Sequence, residues 1–209
     1  MPKFSSVIEE GIVRKLQAQK KALSHFYAKS GRHCVYYSRK VGYFLQVLDF
    51  SPYVCDGRGQ ARSPSEFKEL LFRDAGLAKC ALGCLNTNLF YWFITVFSDC
   101  RHVNKREVDA FSVDLRGLSV SLQGQRVADL ATKLMRDLDA NSITRKMSFK
   151  HDSLLVQCIY PKRSKSIIDE IEVVIGEHFG FTDEELDFII NYDIKYRMGR
   201  DGGDEEEAE

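Results

Sequence analysis

The sequence predicts an α+β fold in which a small β-rich portion packs on a long central helix and is followed by a helical C-terminal segment. Three observations lead there. Two runs rich in β-branched and aromatic residues flank a short polar turn between His33 and Phe50. Apolar residues then recur at steps of three and four from Leu82 to Val96. After residue 163, two further helical stripes carry their own start and stop signals. The expected division is a basic body, 1–163, a helical segment, 164–200, and an acidic, disordered tail, 201–209.

With 209 residues and 44% apolar content, the chain is long enough for one good core. Its formal net charge of zero is uneven: residues 1–163 hold 26 Lys plus Arg against 15 Asp plus Glu, or +11, and residues 164–209 hold 4 against 15, or −11. A basic body with an acidic appendage fits a nucleic-acid binder. The longest apolar run, Leu89 to Phe97, is about half a bilayer span. The N-terminus lacks the regions of a secretory signal, so a cytoplasmic location without a membrane partner is expected. Six cysteines without a CxxC pair suit a reduced compartment. Cys80 and Cys84 share a helical face, and Cys100 with His102 offers further ligands in principle, but the cysteines read as small buried hydrophobes and no metal is assigned.

In chain order, residues 6 to 30 read as a helix with an Ile8, Ile12, Leu16, Leu23 stripe, a Ser5 or Ser6 cap and Glu9 and Glu10 in the first turn, ended by Gly31. A hairpin follows, turning through Arg39-Lys40-Val41-Gly42. Tyr36, Tyr37 and Tyr43 around that turn are either stacking surface beside positive charge or ordinary strand residues. Ser51 to Ser65, with two prolines, two glycines, Arg58 and Arg62, reads as a mobile basic loop without a phosphate-loop ending. Ser63-Pro64-Ser65-Glu66 fits a helix cap with Pro at the first position, whereas Glu69 to Arg73 fits a short strand.

The central helix is expected from Ala75 to Phe97, with Leu82, Leu85, Leu89, Trp92 or Phe93, and Val96 as its packing face. It runs into the cationic turn Ser98-Asp-Cys-Arg-His-Val-Asn-Lys-Arg106. Arg101 with Lys105 or Arg106 offers donors for guanine or phosphate. Asn104 either pairs with an adenine edge or, with Glu107, caps a short helix over Lys105 to Ala110. Phe111 to Leu115 reads as a strand, Ser119 to Ala140 as a helix stopped by Asn141, and Leu154 to Tyr160 as a strand preceded by the basic run Thr144 to Lys150. Ser164 is a cap for a helix over Lys165 to His178, broken by Gly180. Thr182 with Glu185 forms a capping box, and Phe181 with Leu186 a staple, for a last helix.

Several of these residues carry a resemblance. Asn-x-x-Leu-Phe-Tyr-Trp from Asn86, Ser98-Asp-Cys-Arg and Asn104-Lys-Arg-Glu-Val-Asp-x-Phe resemble the C-terminal target-recognition region of type IIG-like, adenine-specific DNA methyltransferases of restriction-modification systems. Pro2-Lys-x-Ser-Ser, Lys133-Leu-Met-Arg-Asp-Leu with Asn141-Ser142, and the segment Phe181 to Gly199 are similar to the same region in the same order. The resemblance favours a strand at Glu69 to Arg73. It also implies a preceding catalytic domain that binds S-adenosylmethionine.

The motifs of that domain, a Phe-x-Gly-x-Gly loop and an Asn-Pro-Pro-Tyr or Asn-Pro-Pro-Phe loop, do not occur in this sequence, whose four prolines are all separate. The expectation is therefore a noncatalytic specificity part that binds double-stranded DNA. S-adenosylmethionine is then held not by this chain but by a partner domain or subunit. The DNA-binding candidates are Arg101, His102, Asn104, Lys105 and Arg106 in the turn, and Tyr36, Arg39 and Lys40 in the hairpin. Arg58 and Arg62 in the loop, and Arg145 and Lys146 beyond the long helix, complete the set. The alternative is a remnant or protein-interaction domain that keeps the fold without binding DNA.

Overall fold

The computed structural model describes residues 6–149 and 153–199. The motif at residues 2–5, the cation Lys150 and the acidic run 201–209 lie outside the described residues. Helix and strand are mixed as expected of an α+β fold, with two small antiparallel sheets and nine α-helices among the described residues.

Helix α1, Val7–Gln17, starts on a capping box in which the Ser6 hydroxyl accepts from Glu9 N and the Glu9 carboxylate accepts from Ser6 N, both at 3.2 Å. It ends at Gln17, well short of the residue 30 expected from the stripe. The backbone at 21–23 is taken by residues 111–113: Val113 N donates to Lys21 O at 3.0 Å and Leu23 N to Phe111 O at 2.8 Å. Leu23–Phe26 then forms a 3₁₀ turn. The segment 111–115 is extended there but makes a single bridge, Ala22 to Ser112, and Leu115 already opens a helix. The predicted strand is therefore corrected to one side of a two-bond clasp.

In the first sheet β1, His33–Ser38, lies between β2, Val47–Leu48, and β4, Phe67–Phe72. Tyr36 opposes Leu48, and His33 opposes Phe72 in a register that runs to Ser38 against Phe67. Val35 and Tyr37 point into the core with Leu70 and Phe72. Both the hairpin and the strand favoured near Glu69 are present, although the hairpin connection runs through residues 39–46, longer than the four-residue turn expected. The second sheet is ordered β3, Val54–Asp56, then β6, Ser153–Cys158, then β5, Ile143–Ser148. The stretch expected as an irregular loop thus supplies a strand, and the basic run after Asn141 is itself a strand.

The expected central helix is two helices, α2, Ala75–Leu85, and α3, Asn88–Phe97, bent by 66° at their junction. Local and distant groups both hold the break. Thr87 Oγ1 accepts from Phe90 N at 3.2 Å, and Asn86 Nδ2 donates to Leu82 O and to Val47 O at 2.8 and 2.9 Å. The Glu172 carboxylate, fully buried, accepts from Asn88 N and Leu89 N at the positive end of α3. Helix α3 is buried almost all round, from Asn88 to Ile94 and at Val96, so it has no single packing face. Trp92 is fully enclosed, and its Nε1 donates to Glu9 at 3.2 Å.

The remaining helices are α4, Lys105–Ala110, α5, Leu115–Ser119, α6, Leu122–Ala140, α7, Lys165–Phe179, α8, Asp183–Ile190, and α9, Ile194–Met198. Gly124 lets α5 and α6 touch, since a Cβ there would sit 1.9 Å from Leu118 O. Ser164 precedes α7 without capping it; its hydroxyl instead donates to Asp137 at 2.7 Å. Gly180, at φ 69°, stops α7 in the left-handed conformation, and the Thr182 and Glu185 capping box starts α8. Buried Leu134 and Leu138 of α6 share one apolar cluster with Ile168, Ile171 and Ile175 of α7 and with Ile189 of α8.

A buried polar network locks this side together. Arg197 of α9 is 4% exposed, donates to Tyr43 O at 2.8 Å and to Asn88 Oδ1 at 2.5 Å, and lies between the rings of Phe44 and Tyr91. Asn88 Nδ2 donates to Asp169, which Lys165 also holds. Burial pushes the Glu172 carboxyl up to about 8, against the pull of the two backbone N–H groups and Arg197. None of the described helices is by itself long and apolar enough to cross a membrane. The bent pair α2 and α3 passes such a test only jointly, and its apolar residues are core residues.

Candidate nucleic-acid interface

The structure sorts the candidate cations into two groups. The first surrounds the turn between α3 and α4. Cys100 takes a left-handed conformation, φ 58°, with its N–H bonded to Ser98 Oγ at 3.0 Å, and Asp99 accepts from Arg101 N at 3.0 Å. That backbone bond, with the Arg101 and His102 charges behind it, holds the Asp99 carboxyl below its ordinary range. Val103 N donates to Arg39 O at 2.8 Å and Lys40 bridges His102, so the hairpin connection and the cationic turn are stitched side by side. Arg39, Lys40, Arg101 and His102 are thereby brought together.

Other members of this group are already engaged. Lys105 Nζ binds both oxygens of Asp109, at 2.7 and 2.8 Å, and sits 4.8 Å from the centre of the Tyr27 ring. Arg106 pairs at 2.8 Å with Glu107, itself 4% exposed, whose other oxygen is buried without a hydrogen-bond partner among the described residues. Asn104 stands at the N-cap of α4, but its side chain makes no cap bond; Nδ2 donates to His102 O at 3.4 Å. The expected capping pair is therefore corrected: Glu107 N bonds to the Asn104 carbonyl instead. Tyr36 is half-buried on the face of β1 opposite Tyr37.

The second group lies on the β3, β6, β5 sheet. Asp56 is buried and collects Arg58 N and Gln60 N on one oxygen and the Arg62 guanidinium, at 2.8 and 3.0 Å, on the other. Those contacts, the Gln60 N–H foremost, hold its carboxyl below the usual range. Arg62 thus closes a turn, whereas Arg58 at its tip is exposed. All six residues of β5 are exposed, Arg145 and Lys146 among them on opposite faces. Arg145 lies 5.6 Å and Arg163 4.8 Å from the centre of the Tyr160 ring, so one aromatic is flanked by two guanidiniums.

Lys162 and Arg163, both exposed in the 3₁₀ turn Pro161–Ser164, escaped the sequence reading. Their signal was the placing of two cations directly after Tyr160-Pro161. Among the described residues, Arg58, Arg145, Lys146, Lys162 and Arg163 have no carboxylate partner, in contrast to Lys105, Arg106 and Arg62. A shallow depression of about 390 Å³ between α6 and α7 is lined by Arg126, Asp129, Leu130, Glu170 and Val173, and by none of the candidates. Cys80 and Cys84 are enclosed in the core, and no metal-binding group of three His, Cys, Asp or Glu forms among the described residues.

Comparison of the chain with family models, with curated proteins and with solved structures finds no match.

Proposed function

We propose that the chain is the DNA-binding target-recognition part of an adenine-specific DNA methyltransferase system. It is noncatalytic by itself and acts with a separate domain that holds S-adenosylmethionine. The observation that carries this reading is the set of cations on the small sheet and the turn after it that have no carboxylate partner among the described residues. A solvated guanidinium or ammonium group without a carboxylate partner retains donors for phosphate oxygens, which is where most of the affinity for duplex DNA resides. The motif resemblance supplies the methyltransferase context. Arg101 and His102, stitched to Arg39 and Lys40, form the part of the turn that remains available for base edges.

The test is a titration of duplex DNA at several salt concentrations. Binding is expected to weaken steeply between about 50 and 200 mM salt, and some sequence preference is expected to survive at the upper end. No binding at about 50 mM, where electrostatic association is strongest, would overturn the proposal.

A protein-interaction module is the second reading, favoured by apolar side chains left uncovered on and beside β5 and β6. Ile143, Met147, Phe149 and Leu155 are all exposed. Under that reading DNA binding is absent, and the same residues mediate association with another protein.

A further inference from the structure

We infer that the connection 39–46 and helix α9 join the two cationic groups into one track, and that this track takes an unpaired DNA strand whose bases stack on Tyr43, Tyr196 and Tyr160. The inference rests on the DNA-binding reading and narrows the form of DNA that the surface holds.

The continuity is carried by backbone contacts. At one end, Arg39 O accepts from Val103 N at 2.8 Å and Lys40 bridges His102, which fixes the start of the connection against the cationic turn. Midway, the buried Arg197 of α9 donates to Tyr43 O at 2.8 Å. At the other end, Gln46 Nε2 donates at 3.4 Å to the carbonyl of Ile159, the residue before Tyr160. Helix α9 reaches the same place, since a Cβ built on Gly199, directly after it, would stand 3.5 Å from Lys162 Nζ. Tyr43 is three residues from Gln46, at most about 10–11 Å of extended chain. The path from the turn to the small sheet therefore runs through neighbouring segments throughout.

Along that path rings alternate with cations. Tyr43 is 45% and Tyr196 64% exposed, and the backbone beneath both is held. Arg197 fixes the carbonyl of Tyr43, and Tyr196, its neighbour on α9, donates its N–H to Asp193 O at 2.9 Å. Lys195, exposed, precedes Tyr196, and Lys162 and Arg163 come next. Tyr160 is half-buried between the guanidiniums of Arg145 and Arg163, and Arg163 Nη1 is itself anchored on Asn141 O at 3.2 Å.

This interleaving decides the form of DNA. Duplex and single strand both offer phosphates, so the cations alone do not choose between them. A ring or a guanidinium plane stacks on a base only where the face of the base is free, and within a duplex neighbouring pairs cover those faces. Exposed rings on fixed backbone, set among cations, therefore add to the binding of an unpaired strand and little to that of a paired one.

The experiment follows the fluorescence anisotropy of a labelled oligothymidylate of about 16 nucleotides and of a duplex of equal length at about 50 mM salt. The single strand is expected to bind at least as tightly as the duplex. Y43A/Y196A should weaken the single strand about tenfold or more, leave duplex affinity within about twofold and keep the unfolding midpoint. Y43F/Y196F should retain single-strand binding, because the ring and not the hydroxyl stacks. Y196A alone, at the most exposed of the three rings, serves if the double variant loses its fold. R101A and R145A, one from each cationic group, should each weaken the single strand, as one strand crossing both groups requires.

Duplex binding beside a markedly weaker single strand would overturn the inference and leave the DNA-binding reading standing. Single-strand binding that survives the loss of the rings, or that only one of the two arginine variants lowers, would overturn it as well, because phosphate attraction at one group then accounts for it. If neither form binds at about 50 mM salt, the DNA-binding reading falls and the track falls with it.

Discussion

The buried polar network around Asn88 and the exposed cationic corner around Tyr160 treat charge in opposite ways. In the network each charge has its partners assigned: Arg197 has a carbonyl, an amide oxygen and two rings, and Glu172 has two backbone N–H groups. Around Tyr160, Arg145, Lys162 and Arg163 are exposed and hold no carboxylate among the described residues, although Arg163 Nη1 donates to Asn141 O at 3.2 Å. The network contains Leu89 and Tyr91, two of the motif residues on which the proposed methyltransferase reading draws, and Asn88 between the motif's Asn86 and Leu89. That stretch is thus largely scaffolding, and the cations proposed to meet phosphate lie elsewhere.

The strongest way to break that contrast is at Arg197. Arg197→Ala removes the donors to Tyr43 O and Asn88 and takes away the positive charge that acts on Glu172. A loss of about 3 kcal/mol or more in denaturant unfolding is expected, with buried acceptors left unpaired. A loss below about 0.5 kcal/mol would show that the network is decorative.

A second test uses pH. Because the Glu172 carboxyl is raised from 4.5 to about 8, the folded state keeps a proton that the unfolded state has released between those values. This group's contribution to stability therefore falls as pH rises through that window, by at most about 1.4 kcal/mol per pH unit, and levels off above it. Glu172→Gln should flatten the decline in unfolding midpoint between about pH 5 and 8. Parallel pH profiles for the two proteins would mean that Glu172 is ionised throughout.

These residues also mark where the sequence was legible. The Thr182–Glu185 capping box was, because its partners lie three residues apart and need nothing else, whereas at α1 the sequence left the cap between Ser5 and Ser6 and did not pair it with Glu9. The apolar stripe of α6 was as well, and so was the α+β class, which follows from periodicity. The break between α2 and α3 was not: a continuous apolar period runs across Asn86–Asn88, and Glu172, which caps the second helix, lies 84 residues away. The end of α1 at Gln17 was hidden for the same reason, since residues 111–113 take the backbone at 21–23 that the expected helix would have included. In the candidate site the cations were visible, but not their partners. Nothing local distinguishes Arg62, closed on Asp56, from Arg58, four residues earlier and exposed.

On the other side of the comparison, Arg145→Ala with Lys146→Ala should leave unfolding within about 0.5 kcal/mol, since both side chains are exposed and neither enters the core. DNA affinity should fall about tenfold or more at low salt, and the slope of log affinity against log salt should become shallower by roughly two. Unchanged affinity would remove the small sheet from the interface.

The smallest effect is expected at the residue that the sequence ranked near the top. Lys105 is held by both oxygens of Asp109 one helical turn away and rests on Tyr27, so a phosphate would have to displace an existing partner. An exposed i, i+4 pair is worth only about 0.3–0.5 kcal/mol, so Lys105→Ala should scarcely alter unfolding. Its removal also uncovers the Asp109 charge beside the turn, which sets a modest repulsion against DNA in place of a lost attraction. The net change in duplex affinity should stay within about twofold, measured beside the Arg145 and Lys146 double variant in one salt series. If Lys105→Ala instead costs as much as that double variant, the ion pair opens on binding and the turn between α3 and α4 is the principal reader after all.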